Sequence, residues 1–153
     1  MLLLPRKSKR FPPMPVVPSG GVCRWCCAVL VFSSGHKLAG QVNPRRRWCS
    51  EHETNCVLNY LISHRQGHLR KALWKRDRGI CCECDRRCSK ADWQADHRIP
   101  LWSLPETVEL HERSKYWGLA NGQTLCSECH GKKTKEEAGL RAAIRRRATK
   151  ELL

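Results

Sequence analysis

Apolar residues recur at helical spacing in two places. Leu58, Leu61 and Ile62 mark one face of a first segment, and Leu69, Ala72 and Leu73 mark one face of a second. The pattern predicts helix over 57–78, weakened or split at Gly67, with Arg65, Arg70, Lys71, Lys75 and Arg76 opposite the apolar side. Near the C-terminus Leu140, Ile144, Ala148 and Leu152 stand four apart, predicting a helix over 136–153 whose other faces carry Arg141 and Arg145–Arg147. "AVLVF" (28–32), with the turn signals "SSGHK" and "NPRRR" after it, predicts a strand. Residues 1–20 hold five prolines and the basic "PRKSKR", a composition that builds no regular element and predicts disorder. That cluster suits a solubilising tail, a nonspecific nucleic-acid-binding arm or a nuclear address.

Composition changes the picture of the core. Hydrophobic residues make up 41%, but the figure counts 11 Cys and only 2 Phe, 2 Tyr and 2 Met. So thin a core calls for staples, either disulfides or metal. An odd number of cysteines cannot all pair internally. The apolar "LLL" at 2–4 is too short for the central region of an export signal, and Pro5 interrupts it. No run approaches a membrane span. The cysteines are therefore expected to be thiolate ligands in a reducing compartment, which predicts an intracellular protein, cytoplasmic or nuclear, and not a secreted one.

Lys and Arg outnumber Asp and Glu by 29 to 14, a formal charge of +15. Two four-thiolate zinc sites would lower this only to about +11. A polyanion partner is the expectation, nucleic acid ahead of a membrane surface.

The cysteine spacing is more specific. Cys81 and Cys84 in "ICCEC", and Cys126 and Cys129 in "LCSEC", each offer two thiolates to one edge of a tetrahedral Zn²⁺. The interval between the pairs is long for a zinc ribbon, so the metal is expected to clamp the ends of an insert, and that insert contains "ADHRIP". Cys88 could replace Cys81 or Cys84. Cys23, Cys26, Cys49 and Cys56 form a second, looser set, for which Cys27 and His52 are substitutes. A shell of four thiolates leaves no open position for water, so both ions are expected to be structural. His64 and His68 stand four apart on a predicted helix, but no third ligand accompanies them. Trp93, Trp102 and Trp117 are expected to pack rather than to stack on bases.

"RDRGICCEC" (76–84), "WQADHRIPL" (93–101) and "LANGQTLCSECHGKKT" (119–134) together resemble the HNH endonuclease family in its zinc-bound form. The stretch 21–73 also resembles the small Cys-rich module that precedes the nuclease domain in some members. The resemblance implies a small, metal-stapled α+β protein. It would comprise a basic tail (1–20), a Cys-rich zinc module (21–58), a connecting helical segment (59–78), a ββα-metal nuclease domain (79–137) and a basic C-terminal helix (138–153). It implies Asp96 and His130 as ligands of a catalytic Mg²⁺ or Mn²⁺, His97 as general base and Asn121 as the residue orienting the loop of His97. The substrate it implies is nucleic acid, foremost double-stranded DNA.

The chemistry agrees with this division of roles. A histidine titrating near neutrality suits deprotonation of water, and a hard cation suits the charge on the leaving oxygen. Adjacent residues on a strand diverge, so Asp96 and His97 could serve opposite sides of one phosphate. Lys133, just after His130, is a candidate phosphate contact or a residue of a solvated basic face. The stretch 102–118 departs from the family: it lacks the glycine-rich turn and carries Glu106, Glu109 and Glu112, which bears on substrate preference.

Overall fold

The structure, a computed structural model, describes Pro15 and residues 20–49 and 53–150. The expectations for the N-terminal tail, except at Pro15 and Gly20, and those for His52 and Leu152 lie outside the described residues. The chain forms a small α+β protein. Helices α1 (Glu53–His64) and α2 (Gln66–Asp77) come first, followed by strand β1 (Gln94–His97). A short helix α3 (Arg113–Trp117), strand β2 (Gly122–Leu125) and the long helix α4 (Ser127–Lys150) complete it. β1 and β2 form a two-stranded antiparallel sheet.

The break between α1 and α2 falls at Arg65 rather than at Gly67, which sits in the first turn of α2. A glycine costs little there, because the first turn's N–H groups lack helical partners in any case. Ile62, Leu69 and Leu73 are buried as their spacing predicts. Arg70 leaves the expected solvated face: its guanidinium lies 4.0 Å from the Trp93 ring centroid and donates to the Trp93 carbonyl at 3.2 Å. "AVLVF" is not a regular strand. It forms only isolated bridges, Val22 with Val29, Val31 with Val42 and Phe32 with Ala39. Leu30 turns inward at 3% exposure, whereas Val29 and Val31 remain exposed, so the alternation is genuine but no long partner strand exists to extend it. The C-terminal helix begins at Ser127, nine residues before the predicted start, and runs unbroken to Lys150.

The chain divides into two compact units that interleave in sequence. The first comprises residues 1–69 and 97–122, the second 70–96 and 123–153. In the first, Cys23, Trp25, Leu30, Cys49, Cys56 and Trp117 form a buried cluster, against which Tyr60, Leu101, Leu104 and Val108 pack. The thin aromatic complement is thus concentrated around four cysteines, and the stretch after His97 supplies the rest of their cover. In the second unit, Trp74 and Trp93 pack with ring centroids 5.2 Å apart. The Cys82 N–H donates to the Thr124 carbonyl at 2.8 Å, tying the Cys-rich turn to β2.

Candidate functional site

Two sets of four thiols each come together, Cys23, Cys26, Cys49 and Cys56 in the first unit and Cys81, Cys84, Cys126 and Cys129 in the second. Within each set the sulfurs lie within 4.8 Å of one another. Cys26–Cys49 and Cys49–Cys56 are 3.6 Å apart, and Cys84–Cys126 are 3.9 Å apart. A tetrahedron of thiolates around Zn²⁺ has an edge of about 3.8 Å, whereas a disulfide needs about 2.05 Å. All eleven cysteines are free thiols. Both sets therefore fit zinc in donor type, number and spacing.

The first pair of each set sits on the same backbone turn. Gly21 and Gly79 both adopt positive φ, 68° and 72°. A Cβ on Gly79 would meet the Trp74 ring at 2.7 Å, so glycine is needed there for space as well as for conformation. Next come the bridges Val22–Val29 and Ile80–Arg87. The N–H of Cys23 donates to the Ala28 carbonyl at 2.8 Å, and that of Cys81 to the Arg86 carbonyl at 2.9 Å. Cys27 and Asp85 follow in the left-handed region, at φ 63° and 56°. The turns close with Leu30 donating to Gly21, and Cys88 to Gly79, both at 2.7 Å. "GVCRWCCAVL" and "GICCECDRRC" are thus two copies of one knuckle, sharing G-[VI]-C-x-x-C.

This equivalence bears on two of the open ligand choices, Cys88 and Cys27. Cys88 is the counterpart of Leu30: it is buried and lies outside the four-thiol set, a small apolar residue rather than a ligand. Cys27 is the counterpart of Asp85; its Sγ approaches the Trp25 carbonyl at 3.9 Å and stays outside the first set.

The thiols of each set are driven apart in proton affinity. Burial raises the Cys23 thiol, but N–H groups of Cys26, Trp25 and Cys49 outweigh it and bring the pKa down to about 7. Burial likewise opposes the N–H groups of Cys126, Glu83 and Cys84 at Cys81, which nevertheless falls to about 6. Cys56 is pushed up strongly by burial and then by Cys49, and Cys129 by Cys126 and then by burial. Thiols this close cannot all ionise alone, and a dication removes that conflict. Cys126 also caps α4. Its sulfur accepts the Cys129 N–H at 3.4 Å, and this bond is the leading reason its pKa is lowered.

Asp96, His130 and Lys133 lie in the second unit. The Asp96 carboxylate is paired through Oδ2 with the Lys133 Nζ at 2.8 Å and accepts from Gln123 Nε2 at 3.0 Å. Lys133 also pairs with Glu137, one turn further along α4. Burial disfavours the Lys133 ammonium, but Asp96 and then Glu137 outweigh it and raise the pKa, so this lysine carries its charge. His130, one turn before Lys133 on α4, is half-buried. Among the described residues, the two thiol sets are the groups of three or more side-chain ligands within reach of one ion. Gln123 and Glu137 were not anticipated from sequence; the i,i+4 spacing of Lys133 and Glu137 was the available signal for the latter.

His97 and Asn121 lie in the first unit. Asn121 is buried at 4% exposure. Its Oδ1 accepts the Ile99 N–H at 2.8 Å, and its Nδ2 donates to the carbonyls of Ile99 at 2.9 Å and Tyr116 at 2.8 Å. The Arg98 N–H donates to the Asn121 carbonyl at 2.7 Å. One asparagine thus clasps the two residues that follow His97. A second, Asn59 of α1, accepts the Leu119 N–H at 2.8 Å and holds the turn that presents Asn121. Among the described residues, no helix is long and apolar enough to cross a membrane. No protein-family model, curated protein or solved structure matches the chain, which leaves its two four-cysteine sites as the chemistry that identifies it.

Proposed function

We propose that the chain is a metal-dependent endonuclease or nickase of the HNH type, with a ββα-metal centre built from β1, β2 and the start of α4. The observation that carries this reading is the Asn121 clasp. A buried side-chain amide spends three hydrogen bonds on the backbone beside His97 and Tyr116, which suits a histidine whose direction matters. His97 would take the proton of the attacking water, giving a 5′-phosphate and a 3′-hydroxyl. Asp96 and His130 would hold the catalytic Mg²⁺ or Mn²⁺, oxygen and nitrogen donors suited to such an ion, with positions remaining for water and phosphate. When bound, that ion supplies Lewis-acid stabilisation of the leaving oxygen.

The charge of +15 supports a nucleic-acid substrate. So does α4, whose residues 138–150 include Arg141, Arg145, Arg146, Arg147 and Lys150 and no acid. A specific observation favours a second reading, a zinc module that binds DNA or RNA without cleaving it: the Asp96 carboxylate is already engaged by Lys133.

The deciding experiment incubates supercoiled plasmid with the protein and Mg²⁺ or Mn²⁺, comparing wild type with His97→Ala. Nicking by the wild type, its loss in the variant and retained DNA binding are the expected results. Equal nicking by both removes His97 as the base. Absence of cleavage with either metal, with binding intact, leaves the zinc-module reading.

A further inference from the structure

We propose that Arg113 is the positioning residue through which the first cysteine set orients the backbone that carries His97; the proposal deepens the nuclease reading and rests on it for its kinetic part. Arg113 begins α3 in the stretch that departs from the family pattern, and it is 1% exposed. A charged side chain so deeply buried demands partners, because desolvation alone would expel it. It finds two on the knuckle and a third at Pro15, whose carbonyl accepts from Nη1 at 3.4 Å, while the Arg113 Nε has none among the described residues. Its Nη2 donates to the carbonyls of Arg24 and Trp25, the two residues between Cys23 and Cys26. Its guanidinium also lies 4.7 Å from the Trp25 ring centroid. Both bonds leave Nη2, whose two N–H groups serve the neighbouring carbonyls, and the guanidinium also engages the Trp25 ring, which a compact ammonium matches less well.

From Arg113 the connection runs along α3 to Tyr116. Tyr116 lies one turn along α3, and its carbonyl accepts from Asn121 Nδ2 at 2.8 Å. Asn121 in turn brackets the N–H and the carbonyl of Ile99. Every link belongs to the first unit, and each is a hydrogen bond or a rigid helical turn. When zinc closes the Cys23–Cys26 turn, it fixes the direction of the Arg24 and Trp25 carbonyls and hence the place of Arg113. The Cys-rich module is then a support for the His97 backbone rather than only an independent binding element.

The test uses the full chain as wild type, Arg113→Lys and Arg113→Met. Amide hydrogen exchange at Ile99, zinc per chain and Mn²⁺-dependent plasmid nicking, resolved into kcat and KM, are the three measurements. Arg113→Met is expected to keep both zinc ions and wild-type exchange in α4, while exchange at Ile99 accelerates about tenfold or more. Its kcat is expected to fall about 100-fold with KM within about twofold of wild type, the mark of misplacement rather than lost binding. Arg113→Lys is expected to fall between the two on both scales. Unchanged exchange at Ile99 in both variants overturns the proposal. Loss of the first zinc together with activity also overturns it, since Arg113 would then merely stabilise the knuckle. If Arg113→Met does not fold, Arg113→Lys decides by the same Ile99 criterion, and failure of both to fold makes Arg113 a stability residue. A wild type that never nicks plasmid defeats the nuclease reading alone, and Ile99 exchange still decides the linkage.

Discussion

The two cysteine sets share one knuckle but complete it differently. In the second unit the remaining ligands, Cys126 and Cys129, flank the N-terminus of α4, where the Cys129 N–H helps to hold a thiolate. In the first unit, Cys49 comes from a loop and Cys56 from α1, and the set is embedded among Trp25, Leu30 and Trp117. The helix-terminal site is defined by local geometry. The embedded site also depends on aromatic cover, part of it supplied by the stretch after His97. Four thiols at the right distances can therefore be assembled by a helix start or by a hydrophobic cluster, and the two should respond differently to the same insult.

The largest contrast should come from removing ligands. Cys126→Ser and Cys49→Ser are each expected to lower zinc from two ions per chain to one, because a structural site with three thiolates loses most of its affinity. Hydrogen exchange should show loss of protection confined to the unit that holds the altered set, α4 for Cys126→Ser and the Leu30 region for Cys49→Ser. Collapse of both units from either change would show that the two sites fold as one.

Acidification should empty both sites next. Cys23 and Cys81 are lowered from 9.0 to about 7 and about 6. A depressed thiol contributes stability that is present above its ordinary pKa and is lost as pH falls through the folded value. Both sets are therefore expected to release zinc as pH is lowered from about 8 to about 5, followed with a chromogenic chelator. Zinc retained by both sets at pH 5 would mean that thiolate protonation does not govern release.

The smallest effect concerns the equivalent knuckle positions. Leu30→Ala is expected to cost about 2–4 kcal/mol in denaturant unfolding, and Cys88→Ala about 1 kcal/mol, because less buried volume is lost. Both variants should keep two zinc ions. A missing zinc in Cys88→Ala would restore Cys88 as a ligand and break the equivalence with Leu30.

Much of the metal chemistry was legible because it is local. A C-x-x-C turn brings two thiolates together whatever surrounds it, so Cys23/Cys26 and Cys81/Cys84 could be read from spacing. The apolar faces at Ile62, Leu69 and Leu73 were legible for the same reason, since helical periodicity is a property of neighbours. "AVLVF" misled because strand propensity does not provide a partner strand. In the sequence the repeat showed only as recurring Cys pairs; its extent, and its meaning for Cys88, required the Gly79 carbonyl and the inward-facing position shared with Leu30.

By itself, the sequence determined that the protein is strongly basic, poor in large apolar residues and supplied with cysteines at zinc spacing, all consequences of composition and nearest neighbours. Only the tertiary structure decided which four thiols share a site and which carboxylates Lys133 joins. It also decided that Arg113 reaches the turn of the first knuckle and Asn121 the backbone after His97. Those partners lie far apart along the chain, and burial favours the pairing of polar groups without specifying in the sequence which partner each will find.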